Sequence, residues 1–287
     1  MRTRPTSWWL AQLRKRRVRM SEERLDLSTP IAFGSEEEKL AAVAFFNAAL
    51  RAEESGLRQA HDLAGELAKR DPDLAECLRL YGDEEGWHRQ LLTEFLGWLG
   101  GGVRPMGRTT RTFYGLYARA KRMESIVLVN LMFETMGSTT YRLALGRASH
   151  PAIRQMLTIL TRDESFHVPL NVHFLRAALA HSGARAGLRM RALFQATFVA
   201  LLASTFPSRR RAERFDRIPR SVLANAYATE LARLFLEEED LGLAPSSFFL
   251  KLLGLDRSRL LQSGPSATSI EAAEKAADRD GVTVEAY

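Results

Sequence analysis

Cysteine is almost absent from this sequence, because Cys77 is the only one in 287 residues. A single cysteine excludes an intrachain disulfide, a cysteine-ligated zinc site and a Cys-x-x-Cys redox pair. Such usage is typical of proteins in a reducing compartment, so we expect a cytoplasmic protein. The apolar run Trp8–Leu10 is too short for a signal-peptide core, which agrees with that expectation.

Long apolar runs are also missing. A membrane-spanning helix needs about 18 or more consecutive apolar residues. The nearest candidate, Ala192–Phe206, is shorter and contains Gln195 and Thr197. The sequence has no Gly-rich phosphate loop, no nucleophile elbow and no βαβ pattern. These absences remove the common phosphate-binding and serine-nucleophile sites from consideration, and the remaining patterns are helical.

The net charge of +7 is concentrated in two segments. Residues 1–24 contain eight Arg or Lys against two Glu, and residues 185–220 contain nine Arg against two acidic residues. The first segment is either a solvated arm or a surface for a membrane or acidic partner, with Trp8 and Trp9 as anchors. The second is a candidate docking surface for an acidic carrier protein or a membrane periphery. We expect no nucleic-acid partner.

Four long stretches with helical periodicity lie between residues 35 and 183. Ser35 and Glu38 form a capping box at the start of the first stretch, and Asp71 followed by Pro72 marks the start of the second. The predicted helices are 35–69, 71–99, 112–145 and 151–182. If the second and third helices run parallel, the linker between them must cross the bundle.

The rest of the chain is arranged around these helices. We predict a basic N-terminal extension over 1–34, a bundle over 35–183, a C-terminal helical extension over 184–262 and a flexible tail over 263–287. Within the extension, Leu188–Phe206 and Arg220–Leu241 are predicted helices separated by Pro207. We expect Leu188–Phe206 to roof an apolar pocket above the bundle.

Two Glu-x-x-His motifs lie within the predicted helices. Glu85 and His88 form the first, and Glu164 and His167 form the second. Three residues make nearly one helical turn, so each motif places a carboxylate and an imidazole on one face. Either motif alone is weak evidence, because this pair often occurs by chance.

Each motif follows a glutamate on another helix at nearly the same distance. Glu54 lies 31 residues before Glu85 (85 − 54), and Glu134 lies 30 residues before Glu164 (164 − 134). Glu134 also interrupts the apolar run Leu131–Met136, where an unpaired carboxylate would be costly to bury. The repeated arrangement therefore indicates a metal site inside a helical bundle.

At these positions the sequence resembles the ferritin-like di-iron carboxylate superfamily, over roughly residues 36–181. The resemblance implies an all-α protein with a ferritin-like four-helix bundle and a dinuclear metal site. Four carboxylates and two imidazoles suit iron or manganese. The six implied ligands are Glu54, Glu85, His88, Glu134, Glu164 and His167.

The first helix offers two adjacent candidates for its ligand. Helical geometry slightly favours Glu53, which lies nearer the middle of the apolar face. The run Glu54–Arg58 instead resembles the first-helix motif of rubrerythrins and demethoxyubiquinone hydroxylases. We therefore choose Glu54 and keep Glu53 as the alternative.

Three further residues are implied at the site. His61 lies seven residues after Glu54 and Tyr141 lies seven after Glu134, which is about two turns, so both are predicted to point at the metals. Asp163 directly precedes the second Glu-x-x-His motif, as in oxygen-activating members of the superfamily. That position implies a hydrogen bond from a metal-bound histidine to Asp163.

The resemblance implies an O₂-dependent oxygenase or oxidase that hydroxylates, desaturates or N-oxidises a small apolar or carrier-bound substrate. Two iron ions are expected, with manganese or a mixed Mn/Fe pair as alternatives, together with an external electron-donor protein. A rubrerythrin-like peroxidase or a manganese catalase is the alternative enzyme, although the chain lacks a rubredoxin-type cysteine cluster. A non-enzymatic metal-binding or partner-binding bundle is the third hypothesis. The oligomeric state stays open, with a homodimer as one option.

Overall fold

The computed structural model describes residues 3–180 and 184–262, and within these ranges the chain is helical with no strand. This agrees with the all-α prediction. A short 3₁₀ turn lies at Glu239–Leu241. The helices are α1 Thr6–Glu22, α2 Glu36–Leu67, α3 Pro72–Trp98, α4 Arg108–Tyr117, α5 Met123–Leu145, α6 Pro151–Ala180, α7 Ala184–Asp216, α8 Arg220–Glu237, α9 Ser247–Leu252 and α10 Arg257–Gln262.

Helices α2, α3, α5 and α6 form the bundle, in which α2 packs mainly on α3 and α5 mainly on α6. The predicted N-terminal ends of α2 and α3 are confirmed. Ser35 caps α2 by accepting a hydrogen bond from Glu38 N, and Asp71 caps α3 by accepting one from Leu74 N. Pro72 occupies the first turn of α3, where its missing N–H costs nothing.

Two apolar clusters fill the bundle, one on each side of a polar layer. The first contains residues from 60–64 of α2, 74–81 of α3, 126–132 of α5 and 166–175 of α6. The second contains residues from 43–50, 91–99, 141–144 and 152–160 of the same helices. The order of the clusters along each helix shows that α3 and α5 run parallel. Their connection therefore crosses the bundle, as predicted for a parallel pair.

The connection between α3 and α5 differs from the single helix predicted over 112–145. It contains the separate helix α4, and α5 begins only at Met123. Residues 118–122 contain neither Gly nor Pro, so the local sequence gives no signal for this break. The buried Tyr117 side chain stabilises the turn, because its hydroxyl donates a hydrogen bond to Ile126 O at 2.9 Å.

The N-terminal segment is a packed helix, which corrects the prediction of a solvated arm and of Trp9 as an exposed anchor. Trp9, Leu10 and Leu13 of α1 are buried in the first apolar cluster, against α3 and α6. The Trp9 ring lies edge-on to Phe166, with 5.5 Å between centroids. Arg16 on the same helix is 1% exposed, although arginine is rarely fully buried. The exposed basic residues of α1, including Arg14 and Arg17, lie on its other face.

The C-terminal helices pack on the outside of the bundle. The structure corrects the predicted boundary at Pro207, because α7 continues through it to Asp216. A proline inside a helix costs about 3 kcal/mol through a lost backbone hydrogen bond, which packing elsewhere must offset. The helix ends after Asp216, where Arg217 takes a φ of 55°. The predicted tail, residues 263–287, lies outside the described residues.

Among the described residues, no helix combines the length and the apolarity that crossing a bilayer would require.

The cap of α3 provides a test of the fold. We expect Asp71→Ala to lower the free energy of unfolding by about 1 kcal/mol, because Leu74 N loses its acceptor. Asp71→Asn is the matched control, since asparagine caps helices about as well as aspartate. Urea denaturation followed by circular dichroism measures both. Equal losses for the two variants would contradict the capping role.

Candidate metal centre

The polar layer between the two apolar clusters consists of acidic and histidine side chains from all four bundle helices. The layer contains six such side chains, and none of them is more than 8% exposed. Because the flanking residues of each helix are apolar, the four helices bring these groups together at one level. They are Glu53 on α2, Glu85 and His88 on α3, Glu134 on α5, and Glu164 and His167 on α6.

Half of the cluster is centred on His88. Its Nδ1 lies 3.1 Å from Glu53 Oε2. The donor atoms of Glu53, His88 and Glu164 all lie within 4.8 Å of one another, as do those of Glu85, His88 and His167. Either group of three could hold a cation, and the second group reaches across to the other half of the layer.

The other half is centred on His167. Its Nδ1 lies 3.1 Å from Glu85 Oε1, 3.8 Å from Glu134 Oε2 and 3.7 Å from Glu164 Oε2. The donor atoms of Glu134, Glu164 and His167 form another compact group. Glu85 and Glu164 therefore approach both halves, which is where carboxylates must lie to bridge two metal ions.

Several buried donor atoms in the cluster lack a hydrogen-bond partner among the described residues. They include Glu85 Oε1, Glu164 Oε2 and His167 Nδ1. An unsatisfied buried carboxylate or imidazole nitrogen costs about 1–3 kcal/mol or more. Cations placed between the atoms would satisfy all three, so the residues present fit a dinuclear metal site.

Proton affinities in the cluster support the same conclusion. Burial and the nearby carboxylates raise the pKa values of Glu85 and Glu164 well above the usual range. Burial opposes protonation of His88, but its hydrogen bonds to Asp163 and Glu53 outweigh burial and raise its pKa to about 10. The cation-free cluster therefore retains protons, and metal binding is expected to release them.

An outer carboxylate lies behind each histidine. His88 Nε2 is 3.0 Å from Asp163 Oδ2, in agreement with the hydrogen bond predicted for Asp163. His167 Nε2 is 3.4 Å from Glu84 Oε2. Each outer acid directly precedes one Glu-x-x-His motif but faces the histidine of the other. Since Nε2 faces an acceptor, Nδ1 of each ring is directed into the cluster.

The structure does not bring Glu54 or His61 into the cluster. Glu54 is 24% exposed and accepts a hydrogen bond from Arg51 Nη1 at 2.7 Å. His61 is exposed and its Nε2 lies 3.1 Å from Asp83 Oδ1. Adjacent helical residues differ by 100° in direction, so only one of the two glutamates faces the core. We therefore replace Glu54 by Glu53 as the candidate ligand and remove His61 from the site.

A small inner cavity of about 20 Å³ adjoins the carboxylates of the cluster, and Tyr141 lies in its wall as predicted. Tyr114 and Tyr117 of α4 separate this cavity from an outer one of about 370 Å³ that opens to the surface, because both residues line both cavities. The roof predicted for Leu188–Phe206 is therefore supplied by α4. No residue of that range lines the inner cavity in the described part of the chain.

Two residues near the cluster, Tyr81 and Arg16, were not predicted from the sequence. Tyr81 donates a hydrogen bond to Glu134 Oε1 at 2.8 Å, and its ring lies edge-on to His167. Its spacing, four residues before Glu85, places it on the same face of α3 and was a usable signal. Arg16 hydrogen-bonds Glu84, which lies 68 residues away, and no spacing rule signals such a contact.

Comparisons with known proteins establish the fold. No family model and no curated protein matches the sequence. The structure is similar to a solved one, "Protein 19 with aldehyde deformylating oxidase activity" from Synechococcus, with a TM-score of 0.58. The alignment has 18% sequence identity and covers 82% of this chain and 100% of the other. That protein is a ferritin-like helical bundle. This chain has the same fold.

The adjacent glutamates of α2 allow a direct test of the site. We expect wild-type protein to bind about two metal ions per chain. Glu53→Ala should lose at least one of them, because it removes a buried donor next to His88. Glu54→Ala is the matched control and should retain both, since Glu54 faces Arg51. Metal analysis after anaerobic loading gives the stoichiometry. The reverse pattern would restore Glu54 as the ligand.

Two glycines of α2 test how closely this helix approaches Glu85. A Cβ added at Gly56 would lie 3.1 Å from Glu85 Oε2, whereas one added at Gly65 would meet nothing within 4 Å. We expect Gly56→Ala to displace the Glu85 carboxylate and weaken metal binding by about tenfold or more. Gly65→Ala should leave metal binding unchanged and stabilise the helix by up to about 1 kcal/mol. Equal metal affinities in both variants would contradict the close packing at Glu85.

Proposed function

We propose that the protein is a di-metal, O₂-dependent oxidoreductase that acts on an apolar organic substrate. The observation that carries the proposal is the buried cluster of four carboxylates and two histidines beside an aromatic-walled cavity. The mixed oxygen and nitrogen donors suit iron, with manganese or a mixed pair as alternatives. The oxidase activity in the name of the structurally similar protein supports the same reaction class.

The protein's own residues would hold, orient and protect this centre. Glu53 with His88 and Glu134 with His167 would hold the metal ions, and Glu85 and Glu164 would help to hold both. When bound, reduced metal ions supply electrons and open positions for the activation of O₂. Tyr114 and Tyr117 close the inner cavity towards solvent, which keeps water away from the reacting groups.

The two cavities support a substrate with one apolar and one polar end. The inner cavity is walled by Tyr114, Tyr117, Phe133 and Tyr141, which favours an apolar group next to the carboxylates. The outer cavity contains charged residues of both signs, namely Arg51, Glu54, Arg58, Asp62, Glu66 and Lys121. A polar end would remain there, within reach of water. A free small molecule or the end of a carrier-bound chain has this form.

An external electron donor completes the proposal. The chain's single cysteine cannot form a second redox centre of the rubredoxin or disulfide type. Reducing equivalents would therefore come from another protein. The arginine-rich segment 185–220 is the candidate surface for an acidic donor or carrier, because opposite charges speed such encounters.

Peroxide reduction is the second candidate function. The inner cavity of about 20 Å³ has room for little more than one water-sized molecule. Peroxide fits this space without movement of α4, whereas an organic substrate requires Tyr114 or Tyr117 to move. A rubrerythrin-like peroxidase or a manganese catalase would therefore use the same cluster in its closed form.

One experiment separates the two candidates. Protein loaded with Fe²⁺ under anaerobic conditions is mixed with O₂, a chemical reductant and straight-chain aldehydes of graded length. The proposed oxidase consumes O₂ in a substrate-dependent manner and yields a product that has gained oxygen, lost hydrogen or lost its formyl carbon. A control with Glu164→Ala should show neither effect. Rapid peroxide turnover without substrate-dependent O₂ uptake would favour the peroxidase instead.

The passage between the cavities gives a further prediction. We expect Tyr117→Ala to shift the preferred substrate length and to release more peroxide per O₂ consumed, because water reaches the inner cavity. Tyr117→Phe keeps the ring but loses the hydrogen bond to Ile126 O, so its length preference should lie closer to wild type than that of Tyr117→Ala. Metal content is measured in both variants as well, so that a loss of metal can be told apart from a change in the preferred substrate length. Identical length profiles in all three proteins would exclude this route.

A further inference from the structure

The two outer carboxylates share one buried cation, Arg16 of α1. Arg16 Nη2 lies 2.6 Å from Glu84 Oε1 and 2.7 Å from Asp163 Oδ1. Arg16 Nε lies 3.0 and 3.1 Å from the two oxygens of Glu84. The guanidinium therefore joins the acid behind His167 to the acid behind His88.

The surroundings of Arg16 hold its guanidinium in one orientation. Its carbon lies 4.3 Å from the ring centroid of Phe166, the residue directly before His167. On the same face of α1, Trp9 is buried two turns before Arg16. The side chain is 1% exposed, so no water competes for its donors. A buried guanidinium with two acidic partners is costly to remove, because both acids would remain buried.

Arg162 and Arg19 also contact the outer acids, but neither makes contacts as short as those of Arg16 to both of them. Arg162 donates to both oxygens of Asp163 and to Glu23. Arg19 Nη2 lies 2.8 Å from Asp163 Oδ1 but 3.3 Å from Glu84 Oε1, and its side chain is 15% exposed. Glu84 thus depends mainly on Arg16, and Arg16 has the shortest contacts that span both acids.

We propose that Arg16 is a positioning residue for the metal centre, acting on both histidines through Glu84 and Asp163. This inference rests on the proposed dinuclear metal site. By fixing the two carboxylates, Arg16 fixes which nitrogen of each imidazole faces outward and the angle at which the other enters the cluster. The planar guanidinium can bind both acids at once, whereas the ammonium of lysine is a single compact charge without that fork. Helix α1, although outside the bundle, is therefore part of the site.

Binding of Co²⁺ to the metal-free protein tests this role through affinity and visible absorption, without any assay of turnover. We expect Arg16→Lys to weaken Co²⁺ binding by about 10- to 100-fold and to change the absorption bands, because the imidazole orientations relax. The matched control is Arg17→Lys on the exposed face of α1, which should bind and absorb like wild type. Circular dichroism checks that all variants are folded.

The variant Leu13→Ala distinguishes a positioning role of Arg16 from a general effect of α1 packing on metal binding. Leu13 is buried one turn before Arg16, so this variant loses helix packing but keeps the guanidinium. We expect a lower melting temperature with wild-type Co²⁺ affinity and spectrum. Wild-type affinity and spectrum in Arg16→Lys, or equal affinity losses in Arg16→Lys and Leu13→Ala, would overturn the proposal. Failure of the wild type to bind Co²⁺ would refute the metal centre itself, and the role of Arg16 with it.

Discussion

The constraint on which this structure depends is the burial of six ionisable side chains in the middle of an apolar bundle. Burying isolated charges is far more costly than any single packing interaction in the protein can offset. The chain meets this cost in two ways: the groups face one another in acid–histidine pairs, and their arrangement leaves donor atoms for cations. The two apolar clusters above and below then fix the level at which the four helices meet.

Much of the site was predictable because it lies on regular helices. Glu85, His88, Glu164 and His167 follow from a one-turn spacing, and a helix preserves that spacing whatever its neighbours are. Glu134 follows from its position within an apolar run. The caps at Ser35 and Asp71 follow from local hydrogen bonding, which needs no knowledge of the tertiary structure.

The residues that prediction missed depend on how helices pack. Glu53 and Glu54 differ only in direction, and the periodic pattern of apolar residues pointed correctly to Glu53, whereas the family motif pointed to Glu54. Arg16 lies in a segment whose composition suggests a solvated arm, and its partners are 68 and 147 residues away. Likewise the break between α4 and α5 has no local sequence signal and depends on Tyr117 reaching Ile126.

Helices α1 and α4, which lie outside the bundle, cover the cluster on different sides. Helix α1 lies over α3 and α6 and presents arginines to the outer acids, whereas α4 lies beside α2 and α5 and presents tyrosines to the inner cavity. The set of candidate ligands is nearly twofold symmetric, with Glu85 and His88 repeated 79 residues later as Glu164 and His167 (164 − 85 and 167 − 88). Because α1 and α4 present different side chains, the two sides of the cluster are no longer equivalent. Among the described residues, both cavities lie on the α4 side of the cluster. A molecule that enters through them therefore meets the two halves of an almost symmetric cluster in different surroundings.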